Sequence, residues 1–408
     1  MVSSTIDHMV AVIAFLAALL LFIGLFNQTI QTAVIYQRHK ALATKASDLL
    51  DTILLNPGIP EDWSISDEEP TGFGLQDPEF TQYRLSPFSL MRLCSSTGEP
   101  VYYEKTKMTY RYVNVGLGNC LIMPYDGVLN YSTALRLLGL NGSYGFQLTL
   151  TPMVTVLIAE MQANPLMLAV NVSGVGFSLA RALVSYRLVA VLLNETQPRY
   201  ITVPGESGMV YTDDQGCVTV PFSFSVDENV TYCLIAYAQL GGVTGVGSFV
   251  SEPSSSSSII PFVKSLASGE VILAHSFDVP YTATFQEDLM YNVALLFVNE
   301  NLEVQRTFLD GASGTVTSGQ AYDPGVVDMP PHFSGTIVIA YKNAIDRGGL
   351  VLVPWGLSSL GFPVVFGGDP SKQEWVATDT RQVLVNGIAY QAKLALWSLE
   401  GYRVVSER

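Results

Sequence analysis

Histidines, cysteines and clustered acids are the side chains with which a protein most often does chemistry, and this chain has few of them. The four histidines, His8, His39, His275 and His332, include no H-E-x-x-H pair, and none stands beside a cysteine, so the spacing of a zinc hydrolase is missing. His275 closes the apolar run of ILAHSFD and reads as a strand-end side chain bonded to a turn. Gly205-Glu206-Ser207-Gly208 lacks the glycine spacing of a nucleophile elbow. The glycines from Gly241 to Gly247 match neither a phosphate loop nor a dinucleotide fingerprint and read as hairpin turns. Asp213-Asp214-Gln215-Gly216 and Asp67-Glu68-Glu69 are without the regular spacing of a calcium loop and read as solvated turns. The acids left for an enzyme are Asp278, Glu287, Asp288, Asp310 and Asp369, scattered over the C-terminal third. They define the alternative reading, a membrane-tethered extracellular hydrolase or glycan-active β-sandwich enzyme. No cofactor and no metal is expected.

Two further sets of residues bear on export. Cys94, Cys120, Cys217 and Cys233 allow three pairings if all are oxidised. If the runs around Cys217 and Cys233 formed a hairpin, the two would be out of register by about five residues. Joining them therefore needs strands in different sheets. Sequons stand at Asn27, Asn130, Asn141, Asn171, Asn194 and Asn229, none with proline at the middle position. The last five are the candidate N-glycosylation sites, since Asn27 is too near the apolar stretch to be an acceptor.

That stretch positions everything else. Met9 to Phe26 is eighteen residues without a charge, and as a helix it covers roughly 27 Å, close to the hydrocarbon thickness of a bilayer. Beyond it Ile30, Ala33, Val34, Leu42, Ala46, Leu49, Leu50, Ile53 and Leu54 recur at spacings of three and four, which predicts one helix continuing as an amphipathic stalk. Asn56-Pro57-Gly58 ends it. Arg38, Lys40 and Lys45 would by the positive-inside bias lie in the cytoplasm. The sequons and a charge-poor body weigh for the outside.

The net charge of −15 and a pI near 4.6 argue against a nucleic-acid partner. Only 14% of residues are charged, and Gly, Pro, Ser, Thr and Tyr are abundant, which favours β-structure with tight turns. Val101 to Val115 reads as a strand. Ser132 to Leu138 reads as a short helix with Asn130 or Ser132 as its cap and Gly139 at its end. A second span through Pro165 to Leu193 is interrupted by Arg181 and Arg187. Glu252-Pro253 and Ser254 to Ser258 mark a flexible boundary, and Asn386-Gly387 a late hairpin.

LLNPGIPEDW after the long helix, then Phe73-Gly74-Leu75, YSTALRLLGL and YGFQLTLTP, resemble archaeal membrane-anchored type IV pilin-like surface proteins over residues 1 to about 153. Counting from Ser3, Asp7 stands fifth, where the resemblance implies a carboxylate that positions a subunit against its neighbours. Residues from about Pro165 to Val250 resemble an immunoglobulin-like β-sandwich of microbial surface proteins.

The fold expected is mainly β, with a long N-terminal transmembrane and amphipathic helix followed by tandem immunoglobulin-like sandwiches. The divisions are 1–56 helix and stalk, 57–153 pilin-like α+β region, 154–251 sandwich, 252–258 linker, and 259–408 C-terminal β-domain. The function expected is a single-pass, membrane-anchored structural or interaction protein, the bulk of it extracellular, presenting β-modules for cell-surface assembly or adhesion. Its partners would be membrane lipid, copies of itself or other pilin-like subunits, and cell-surface or envelope components.

Overall fold

A computed structural model of the chain describes residues 2–80, 82–93, 96–114, 120–124, 127–140, 142–194, 196, 198–201, 206–227, 229–252, 257–278, 287–299, 304–319, 323–330, 333–345, 347–356 and 361–399. The chain is mainly β, with several sheets and one long N-terminal helix.

That helix runs unbroken over Val2–Leu54. Ile6 to Arg38 is exposed throughout. Thr29 and Thr32 satisfy their hydroxyls on the carbonyls of Leu25 and Gln28, at 2.9 Å each, so they add little polarity to the rod. From Leu42 the pattern changes, and Leu42, Ala46, Leu49, Leu50, Ile53 and Leu54 are buried. These positions line one face at successive turns. The expected stalk is therefore shorter than 1–56 implies, because its apolar stripe is covered by the chain's own sheet.

The covering sheet has the order Arg84–Leu85, Ala377–Val385, Ile388–Ser398, Tyr144–Pro152, Val364–Gly367. Its central hairpin turns at Asn386-Gly387, both with positive φ (48° and 79°), the conformation that a two-residue hairpin of right-handed twist requires. Tyr144–Pro152 pairs along its whole length with Ile388–Ser398. A six-stranded sheet likewise joins Ser96–Tyr103, Met108–Asn114 and Cys120–Pro124 to Ile259–Ser265, Glu270–His275 and Gly325–Asp328. Residues 57–153 and 259–408 are thus one interleaved unit, which corrects the expected division between them. Alternation within a strand reports which face is buried and carries no information on which distant strand it joins. The strand expected over Val101 to Val115 is also two, turned by the polar residues Glu104 to Lys107.

Residues 154–251 form the expected sandwich. One sheet carries Thr155–Ala163, Leu166–Gly174 and Cys217–Pro221, and the other Leu183–Leu192, Val230–Leu240 and Val243–Val250. Val170, Val172, Leu188, Leu234 and Phe222 belong to the core between them. The second sheet is buried on both faces: Val189, Val191, Leu193, Ile235 and Tyr237 point into the main core while Leu188, Ala190, Leu234 and Ala236 point into the sandwich. This is why Val230 to Ala238 is apolar without alternation. The sandwich is an insertion seated on the body. Arg187, which interrupts the apolar run, pairs with Glu206 at 2.9 Å and donates to the Val304 carbonyl at 2.7 Å.

Candidate membrane and assembly interface

The feature with functional content is the junction where a bare apolar helix enters the β-body, and three sets of residues hold it. The first is the buried stripe from Leu42 to Leu54. The second is Arg381, on the strand beneath the helix. Its guanidinium reaches Asp51 in bidentate fashion (Nε to Oδ1 2.9 Å, Nη2 to Oδ2 3.0 Å), Ser47 Oγ at 3.0 Å and Asp379 Oδ2 at 2.8 Å. Tyr83 Oη donates to the same Asp51 carboxylate at 3.1 Å. A forked donor matched to a carboxylate fixes rotation as well as distance. Asp51 and Arg381 are 330 residues apart in the chain.

The third set closes the helix end, and it gives LLNPGIPEDW and Phe73-Gly74-Leu75 a physical meaning. The last carbonyls of a helix lack intrahelical donors. Here Leu75 N–H donates to Ile53 O at 2.8 Å and Gln76 N–H to Asn56 O at 3.1 Å. Gly58 turns the chain at φ +95°. The Trp63 indole N–H then donates to both Pro57 O (2.8 Å) and Gly74 O (3.0 Å). Above the Trp63 ring, at 5.0 Å, lies the guanidinium of Arg92. It is buried and spent on backbone carbonyls: Gly127 at 2.9 Å, Ser66 at 3.0 Å, Glu68 at 2.8 Å and Trp63. Burial lowers its pKa to about 10, so it remains charged at neutral pH. Asp67 in the same acidic loop accepts from Leu266 N–H (2.8 Å) and Ser265 Oγ (2.6 Å), and Glu69 accepts from Thr133 Oγ1 at 2.7 Å. The turn is solvated as expected, with Asp67, Glu68 and Glu69 exposed, and it is also a clamp.

The other singled-out residues are dispersed. Asp7 is exposed on the bare helix. Asn171 and Asn194 are exposed and Asn229 half-buried. Asn130 is exposed and caps the helix Tyr131–Leu137, accepting from Ser132 N–H at 3.2 Å. Asn141, Cys94 and His332 lie outside the described residues, as do Pro253 to Ser256 of the linker, and Cys120 is described only as the first residue of its strand. Cys217 and Cys233 are free thiols. They sit in different sheets of the sandwich, and burial pushes the Cys233 thiol up to about 12, which makes it unreactive. Asp213 forms a turn, its Oδ1 accepting from Gln215 and Cys217 N–H at 2.8 Å each. Among the described residues no three His, Cys, Asp or Glu side chains gather where a metal could sit. Of the five acids of the alternative reading, Asp369 caps a short 3-10 turn at Pro370–Lys372 and Asp278 is buried. Glu287 and Asp288 are exposed, and the side chain of Asp310 is outside the described set.

His275 is buried with its ring between Glu287 O and Phe277 N–H, both at 3.2 Å, as the strand-end reading expects. Burial lowers its pKa from 6.5, and burial raises that of neighbouring Asp278, whose Oδ1 accepts from Gly319 N–H at 3.1 Å. A depressed histidine contributes stability that is present above its unfolded value and lost as the pH falls through the folded one. Asp278 acts in the opposite sense, its contribution being lost as the pH rises from 3.8 through its folded value. The histidine should therefore make unfolding free energy fall as the pH drops below 6.5, and denaturant titrations of His275→Gln should show that slope flattened.

Among the described residues one helix, Ile6–Leu54, is long and apolar enough to cross a membrane. No family model matches the chain, and the comparison with curated proteins finds no match. Among solved structures it is similar to Salmonella alpha-2-macroglobulin reacted with methylamine, at 10% identity over 67% of this chain and 19% of that one, with a TM-score of 0.21. It is also similar to invasin, a bacterial integrin-binding protein, at 11% identity over 59% of this chain and 54% of invasin, with a TM-score of 0.16. The chain thus spans about a fifth of the first and about half of the second, and at these scores neither likeness carries an argument.

Proposed function

We propose that this is a membrane-anchored structural or interaction protein, pilin-like in plan, that holds a β-body and its inserted sandwich outside the cell for surface assembly or adhesion. The observation that carries the reading is the helix itself, exposed from Ile6 to Arg38 and buried along one face from Leu42 to Leu54. A docked final quarter makes body and anchor a single mechanical piece, as a protein under load at a surface requires. The uncharged stretch Asn27 to Gln37, carrying Ile30 and Val34 exposed, offers a seam to neighbouring helices. Asp7 at its membrane end is the carboxylate that would meet a cationic partner in an assembly.

Protease treatment of intact cells tests the topology. The body should be cut, with the first nick between Glu252 and Ile259 read as two fragments on a denaturing gel, and complete protection would place it on the other side. Asp7→Ala should leave insertion intact and abolish high-molecular-weight assemblies in crosslinked membranes. A wild type recovered only as monomer would remove assembly and leave the anchor.

A further inference from the structure

The geometry points to a basic and aromatic collar, where the helix enters the body, that seats the body directly on anionic lipid headgroups. This rests on the helix spanning the membrane. Between Asp7 and Arg38 the chain has no Asp, Glu, Lys or Arg. Residues 8–37 as a continuous helix cover roughly 45 Å, against roughly 40–45 Å for a bilayer with its headgroup layers. When Asp7 lies at one polar surface, Arg38 lies at the other.

The body begins at that level. His39 stacks on Trp375 with ring centroids 3.6 Å apart and planes 6° from parallel, and Lys45 Nζ lies 3.8 Å over the Tyr144 ring. Arg38, Lys40 and Lys372 are exposed beside them. Trp375 keeps 41% of its surface exposed and Tyr36 69%, which is costly for a large ring in water and normal at a membrane interface. The acids along this stretch are Asp369, whose carboxylate is taken by Ser371 N–H and Oγ at 2.9 and 2.8 Å, Glu374 and, one turn beyond Lys45, Asp48. Arg38, Lys40, Lys45 and Lys372 thus outnumber the acids beside them, in a chain of net charge −15, which makes the rim a local reversal of the protein's field. Phosphate headgroups are the partner that fits a basic ring threaded by a membrane helix.

The test uses the full chain in nanodiscs of zwitterionic lipid, with and without phosphatidylglycerol, each doped with lipid carrying a quencher in its headgroup. The Trp375 signal is obtained by difference from Trp375→Phe. Quenching of Trp375 should be at least about twofold stronger in the anionic discs and should fall to the zwitterionic level in about 0.5 M salt. Lys40→Glu with Lys372→Glu should do the same at low salt with an unchanged melting temperature. A chain that inserts in both discs with equal quenching of Trp375 overturns the collar and leaves the anchor. A chain that inserts in neither overturns both.

Discussion

Arg92→Leu should cost the body about 3–5 kcal/mol. The substitution keeps the apolar stem and removes the donors. The buried carbonyls of Trp63 and Gly127 then face an apolar side chain with no water to replace the donor, at about 1–3 kcal/mol for a fully buried group, while those of Ser66 and Glu68, in the more open loop, lose a bond that water can replace. Part of that is recovered where the loop can open, which sets the upper bound. Arg92→Lys should restore only a fraction, because three donors on a point charge cannot reproduce a planar fork. Denaturant unfolding of the detergent-solubilised chain measures the loss. A drop under about 1 kcal/mol would mean that the acidic loop holds the helix end without its arginine.

Gly74→Ala comes next. A β-carbon there would stand 2.0 Å from Asn56 O, 2.6 Å from its carbonyl carbon and 2.8 Å from Gly58 N. All three are backbone atoms at the end of the helix, so no side chain can swing away. Segment 73–76 must withdraw, and with it go the bonds to Ile53 O and Asn56 O. A cost of about 3 kcal/mol follows from overpacking. The control is Gly139→Ala, where φ is +65° but nothing lies within 4 Å, and where the left-handed backbone alone costs about 1–2 kcal/mol. Equal losses at the two glycines would show that crowding at the helix end is relieved more easily than its geometry implies.

Much of the architecture is legible in the sequence, and what is not has a common cause. The helix and its end follow from the absence of charge and from Asn56-Pro57-Gly58, which are local. The short helix Tyr131–Leu137, its Asn130 cap and the left-handed Gly139 at φ +65° follow from capping chemistry, also local. The sandwich strands follow from alternation and turns. The docking of the helix does not, because Asp51 meets Arg381 only after the last hairpin has been placed. Nor does the interleaving of 84–152 with 259–398, since Tyr144–Pro152 looks the same whether its partner is near or distant in the chain. Arg92 left one sign in the sequence, a lone arginine within the apolar SLMRLC, which in a folded chain must find buried acceptors. The acidic loop is solvated as its composition implies, but its bonds to Leu266, Ser265 and Thr133 leave no sign in the sequence, because a side chain that accepts such donors and one that only faces water have the same composition.

The claim on which the rest depends is that the membrane helix and the β-body are one rigid piece. Spin labels at Ala33, on the exposed part of the helix, and Gln382, exposed on the strand beneath its docked end, report it directly when introduced as Ala33→Cys and Gln382→Cys in a background of Cys94→Ser, Cys120→Ser and Cys217→Ser. Double electron–electron resonance in nanodiscs should return a single narrow distance distribution, and Arg381→Ala should broaden it. A broad wild-type distribution, unaffected by Arg381→Ala, would mean that the helix hinges freely above the body and would contradict the account.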